Sequence, residues 1–149
     1  LAGGKGREIL SERILEKVEG REAELKNPVV LAYLGDTVYD LFVRTALVKH
    51  SKMHVKELNL CAARIVNAHA QAEAAEWLKE KFTAQESEIY RRGRNARVGS
   101  VPKNMAVADY HKATGLEAVM GYLFLTGQQE RLEQLMGAIL EDMGERACE

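Results

Sequence analysis

Residues 28–43 read PVVLAYLGDTVYDLFV, and this stretch decides the fold. The run suits one mostly buried helix, with Asn27 as its cap and Pro28 at the favoured first position. It carries two charges, Asp36 and Asp40, whose i, i+4 spacing puts both carboxylates on one helix face. Gly35 stands directly before Asp36, inside a helix where glycine costs about 1 kcal/mol relative to alanine. An apolar helix with a carboxylate and a glycine at its middle has a use for both. The acid would hold something positive, and the glycine would let another backbone come close.

A second stretch has the same grammar. Residues 113–125, ATGLEAVMGYLFL, hold one charge, Glu117, with Gly115 and Gly121 on either side. Crossing the two helices at their glycines would bring Asp36 and Glu117 together. Two carboxylates meeting in a low dielectric repel, and one would normally protonate. A divalent cation removes the conflict, because hard ions such as magnesium take carboxylate oxygens, waters and phosphate oxygens. Phosphodiester hydrolysis is the chemistry such a site suits. The alternative is that each acid pairs with a buried base or caps a neighbouring backbone. Neither run contains a lysine or arginine, which favours the metal reading. Asp40 could orient a metal-bound water or pair with Arg44, four residues on. Asp109, eight residues before Glu117, is rotated off its face and reads as an exposed acid near a helix start.

Working outward, residues 1–6 read as a lead-in. Residues 7–25 read as an amphipathic surface helix striped by Ile9, Leu10, Ile14, Leu15 and Val18. The central helix should stop near Lys49 and His50. Residues 55–81 continue as helix, with a break near Asn67, and a short helix spans 84–92. Residues 91–104, RRGRNARVGSVPKN, are the most loop-like part of the chain. Residues 105–125 form the second core helix, and 128–145 a last amphipathic one. No strand periodicity and no internal repeat is found. The expectation is an all-α fold of five to seven helices.

The chain has 149 residues, 46% of them hydrophobic, which suits one domain spanning 1–149 with its core over about 25–140. The net charge of −1 makes any nucleic-acid surface a local patch. That patch is the basic segment. Arg91, Arg92, Arg94 and Arg97 fall within seven residues, with Lys103 after them and no acid among them. Gly93, Asn95 and Gly99 give the segment a shaped backbone, so Arg92, Arg94, Asn95, Arg97 and Lys103 read as duplex phosphate contacts. The alternative is a solvated charge cluster. Aromatic residues do not interleave with these arginines, so base stacking is not indicated.

Other signals point away from rival chemistries. His50, His54, His69 and His111 make no zinc pattern. GGKG at residues 3–6 is too short for a phosphate-cradling loop. Cys61 and Cys148 have no ligand companions and read as two isolated thiols, which fits a reducing cytoplasm. No run is long and apolar enough to span a membrane, and the N-terminus lacks the apolar centre of a signal peptide.

LAYLGDTVYD, RGRNAR and ATGLEAVMGYLFL, in that order, resemble Mini-ribonuclease III, the bacterial group consisting of a ribonuclease III catalytic domain alone. The resemblance implies an all-helical homodimeric endonuclease. It also implies magnesium, with manganese as a substitute, and cleavage of double-stranded RNA. It further implies a role in maturing precursors of large-subunit ribosomal RNA. It places Asp36 at the signature aspartate and Glu117 at the essential late glutamate, as catalytic and metal residues. Full-length ribonuclease III has glutamates where Val29 and Ala32 stand here, and an aspartate in place of Thr114. The Mini-III group shares that reduction. No double-stranded RNA-binding domain is expected after the last helix, so RNA grip falls to the 91–104 segment. A rival from another class is a non-catalytic double-stranded RNA-binding dimer. A third reading is a helical scaffold without a nucleic-acid role.

Overall fold

A computed structural model describes residues 10–97 and 99–148. These form seven α-helices and no strand: α1 (Gly20–Glu24), α2 (Pro28–His50), α3 (Val55–Val66), α4 (Ala68–Leu78), α5 (Ala84–Arg94), α6 (Val107–Leu125) and α7 (Gln129–Ala147), with a 3-10 turn at Lys79–Lys81.

The helix ends follow from their caps. Asn27 accepts from the Val29 N–H at 2.8 Å, and Pro28 opens α2 without an orphan donor. Asn67 makes the break between α3 and α4. Its carbonyl oxygen accepts from Ala70 N–H while its amide donates to the Ala63 and Arg64 carbonyls, so one side chain satisfies two helix ends. Thr83 and Glu86 form a reciprocal capping box at the start of α5. Glu86 also takes two hydrogen bonds from Arg131, at 2.8 and 2.9 Å, which ties α5 to α7.

α2 and α6 cross as the central pair, α4 and α5 pack on α6, and α7 lies against α3, α6 and α2. From Ala113 to Leu123 every residue of α6 except Glu117 is buried. A helix covered on all sides shows no amphipathic stripe, only a continuous apolar run.

Four expectations are corrected. Among the described part of residues 7–25 only Gly20–Glu24 is helical. Leu10, Ile14 and Leu15 stand exposed, and Arg13 adopts φ 49°, a conformation no helix continues through. The expected lead-in at 1–6 and residues 7–9 lie outside the described residues. α5 runs on through Arg94, so three of the four arginines end a helix; the connection to α6 begins at Asn95. α2 is only half covered: Leu31, Ala32, Val38, Tyr39, Val43 and Leu47 face the core, while Val30, Tyr33, Leu41 and Val48 stay exposed along the opposite stripe. Last, Cys61 and Cys148 are joined in a disulfide, with Cα atoms 5.0 Å apart and 87 residues between them in sequence. α7 returns across α3, and Arg64 Nη1 donates to Ala147 O at 2.9 Å beside the pair. Spacing along the chain carries no sign of that return. The pairing removes isolated thiols as an argument for a reducing compartment.

Candidate active site

The site is made by a backbone contact. A Cβ added at Gly35 would lie 1.7 Å from the Glu117 carbonyl oxygen, and one at Gly121 would lie 2.0 Å from the Leu31 carbonyl oxygen. No side chain fits at either place, so α2 and α6 touch main chain to main chain at the level of Asp36 and Glu117. Gly115 serves a different neighbour. A Cβ there would strike Tyr90 of α5 at 2.8 Å, so α6 uses glycine toward two helices, not one.

Asp36 is exposed and Glu117 is half-buried. Burial pushes the Glu117 carboxyl up from 4.5 to about 8, and the hydrogen bond and charge of Asp36 push in the same direction. The two carboxyls therefore share the site, and Glu117 holds its proton more tightly than an ordinary glutamate when no cation is present. Gln71, from α4, acts in the opposite sense: its Nε2 donates to Glu117 Oε2 at 3.4 Å. Tyr39, one turn after Asp36, has a fully buried hydroxyl without a hydrogen-bond partner. Its ionisation is driven well above the ordinary tyrosine range by burial and by the charge of Glu117.

Val29, Ala32 and Thr114, the positions where the resemblance implies further acids in full-length ribonuclease III, contribute none here. Ala32 is buried and Val29 half-buried, and Thr114 Oγ1 donates to Tyr110 O at 2.8 Å within its own helix. Among the described residues no group of three or more His, Cys, Asp or Glu side chains converges. Asp40 pairs with Arg44 Nε at 2.9 Å. Asp109 accepts from His69 Nδ1 at 2.9 Å, and His69 Nε2 meets Glu73 at 2.7 Å, which links α4 to α6 away from the two acids.

The basic residues divide by use. Arg91 pairs with Glu88 at 2.6 Å. Arg92 donates to Glu24 O at 2.7 Å and Lys26 O at 3.3 Å, holding the turn between α1 and α2. Those bonds commit its guanidinium to the fold and leave it poorly placed as the phosphate contact expected from sequence. Arg94 lies 5.8 Å over the Tyr90 ring and its Nε reaches Asn95 Oδ1 at 3.5 Å. Asn95, Arg97 and Lys103 are exposed on the segment leading into α6. A second basic concentration, Lys49, His50, Lys52, His54 and Lys56, is exposed where α2 turns into α3.

Gln71 is the site residue that sequence alone does not pick out. Its only trace there is a long amide among small residues in AHAQAEAA, a helix otherwise built for close packing.

Comparison with known proteins places this chain in a family. The Ribonuclease III domain model matches residues 29–128. The Mini-ribonuclease 3 of Staphylococcus aureus is 38% identical over 134 residues, covering 89% of this chain and all of that protein. The Mini-ribonuclease 3 of Symbiobacterium thermophilum is 44% identical over 111 residues, covering 74% of this chain and 85% of that protein. A crystal structure of a protein from Fusobacterium nucleatum superposes with a TM-score of 0.73 at 23% identity, over 79% of this chain and 94% of that one, a likeness of fold.

Proposed function

Because the chain belongs to the ribonuclease III family, in its Mini-ribonuclease 3 group, and is on that ground an endoribonuclease, we propose that it cuts double-stranded RNA at Asp36 and Glu117 with a divalent metal ion. The observation that carries the reading is the glycine crossing, which brings together two carboxylates from the apolar runs 28–43 and 113–125, which contain no lysine or arginine. The donors are all oxygen, two carboxylates with an amide behind one of them, and that set suits magnesium or manganese rather than zinc. When bound, the ion would supply charge stabilisation at the scissile phosphate and a more acidic water. Asp36 and Glu117 would hold it, and Glu117 must give up its proton to do so. Arg94, Asn95, Arg97 and Lys103 would set the duplex by its phosphates, with the basic turn at residues 49–56 as a further contact.

We also assign the working form to a twofold dimer. Val30, Tyr33, Leu41 and Val48 fall on one stripe of α2 at helical spacing, and large apolar side chains so aligned suit burial against their own copy. An open groove of about 430 Å³, lined by Leu41, Phe42, Met136 and Leu140 among others, continues that stripe. The stripe lies beside the Asp36 face, so each protomer would present its acids to one strand. The resemblance makes precursor large-subunit ribosomal RNA, in the cytoplasm, the proposed substrate. Among the described residues no helix is long and apolar enough to cross a membrane.

The test is cleavage of a long RNA duplex with and without magnesium or manganese. Wild type should cut only with metal, and Asp36→Asn and Glu117→Gln should each lose about two or more orders of magnitude in rate while staying folded. Near wild-type turnover by both variants would remove the metal site from these residues.

A further inference from the structure

The described residues bury three polar or charged side chains: Gln71, Glu86 and Thr114. Two are accounted for by the fold. Glu86 closes a capping box and receives Arg131, and Thr114 returns its hydroxyl to the Tyr110 carbonyl. Gln71 has no such use. It is 3% exposed, on a helix whose other buried residues are Ala70, Ala72, Ala74, Ala75 and Leu78. A long amide is poorly suited to that company, because its desolvation must be offset by hydrogen bonds. The side-chain hydrogen bond found for it is the one from Nε2 to Glu117 Oε2.

We propose that Gln71 is a positioning residue for the reaction, which turns and holds the Glu117 carboxylate so that its other oxygen faces Asp36 and the metal. This rests on the reading of Asp36 and Glu117 as metal ligands.

The choice of side chain follows from electrostatics. A carboxylate that binds a metal needs a hydrogen bond on its far oxygen to fix its orientation. Lysine or arginine would supply the bond and also neutralise the charge that the cation needs. An amide supplies the bond and leaves the full charge in place. α4 carries it because α4 packs on the α6 face next to the one crossed by α2, so Glu117 sits between Gln71 on one side and Asp36 on the other. The Nε2–Oε2 contact is 3.4 Å.

The experiment compares wild type, Gln71→Met, Gln71→Ala and Glu117→Gln by titration with manganese alone, read by the loss of the free-ion electron spin resonance signal. Circular dichroism and melting of the metal-free proteins run in parallel. Methionine keeps the volume without the donor, and alanine matches the rest of the helix, so the two fail for different structural reasons if they fail. The expected result is a 10- to 100-fold loss of manganese affinity in both Gln71 variants, about the usual effect of removing a ligand's hydrogen-bond partner. Metal-free melting should stay close to wild type, and cleavage should be largely restored at high manganese. A folded Gln71 variant with wild-type manganese affinity overturns the proposal, as does loss of fold in both, which would make Gln71 a packing residue. Wild-type affinity in Glu117→Gln would instead refute the ligand reading on which the proposal stands, so the two failures are distinguishable.

Discussion

Replacing Glu117 by glutamine should flatten the dependence of stability on pH in the metal-free protein. Glu117 has an ordinary value of 4.5 when unfolded and about 8 when folded, raised first by burial and then by Asp36. The folded state therefore binds the proton more tightly. Its stability contribution is complete below pH 4.5 and is lost as pH rises through about 8. At about 1.4 kcal/mol per pH unit the full interval is worth about 5 kcal/mol. Glu117 is only half-buried and Asp36 is exposed, so solvent weakens both causes and about 2 kcal/mol is the expected realised loss. Glutamine has nearly the same volume and cannot ionise. Glu117→Gln should therefore exceed wild type by about 2 kcal/mol at pH 9, or about 4–8 °C in melting temperature for a chain of this size. The two should converge near pH 5. His69 also has a raised value, from its hydrogen bond to Asp109, and it too costs stability as pH rises through that value. It is present in both proteins, so the difference curve isolates Glu117. Urea unfolding followed by circular dichroism in EDTA, at each pH from 5 to 9, makes the measurement. Parallel curves would show that Glu117 does not ionise against Asp36, and the argument for a cation between them would lose its electrostatic basis.

Gly35→Ala should destabilise by at least about 3 kcal/mol, at the top of the range for overpacked cores, because the added carbon meets a backbone oxygen that cannot turn aside. A melting point within 2 °C of wild type, by about the same scale, would refute the crossing. Reduction of the Cys61–Cys148 bond should lower stability by up to about 4–5 kcal/mol, the chain-entropy value for a closed loop of this length, read as the melting difference with and without dithiothreitol. Identical melting in both conditions would mean that the bond contributes nothing. Alanine at Arg94, Arg97 and Lys103 together should reduce the salt slope of duplex binding by about one per lost contact with the fold intact, whereas Arg92→Ala should lower the melting temperature first. An unchanged slope would move the duplex to the basic turn at 49–56. Tyr33→Glu should convert a sedimenting dimer to monomer, and a dimer that survives that charge would place the interface elsewhere.

α6 was legible because burial on all sides writes itself as an unbroken apolar run, and α2, though only half covered, carries a run of the same kind. Within such a run a charge or a glycine is conspicuous, which is why Asp36, Glu117 and a crossing at the glycines could be expected from the sequence, though not that Gly121 meets Gly35 while Gly115 faces Tyr90. Asn27 and Asn67 were legible for a local reason, since a cap acts within three residues of itself. The rest depended on contacts between distant segments. Gln71 meets Glu117 from 46 positions away, and Arg92 reaches the α1–α2 turn over a gap of 66 to 68. The disulfide spans 87. No periodicity encodes such pairs. The stripe expected over residues 7–25 failed for the opposite reason: its spacing was helical, but among the described residues Val18 packs against the core while Leu10, Ile14 and Leu15 stay exposed, and amphipathic pattern alone does not hold a helix.

The two faces of α2 explain why so few charges suffice. Its inner face must give up side chains altogether at Gly35 so that α6 comes within main-chain contact, and that closeness is what delivers Glu117 to Asp36. A site built this way is positioned by rigid backbone, so it needs few side chains to align it; one amide on α4 supplies the remaining orientation. The cost is that, without a cation, Glu117 is half-buried beside a second acid, and its raised proton affinity reflects burial first and Asp36 second. The outer face bears the opposite requirement. It keeps Val30, Tyr33, Leu41 and Val48 in water in the single chain, an arrangement that makes sense if a second copy covers them. On one helix, then, the residues that would assemble the dimer and the residue that would hold the metal are locked in register, so any shift of one protomer against the other would move Asp36 relative to a bound strand.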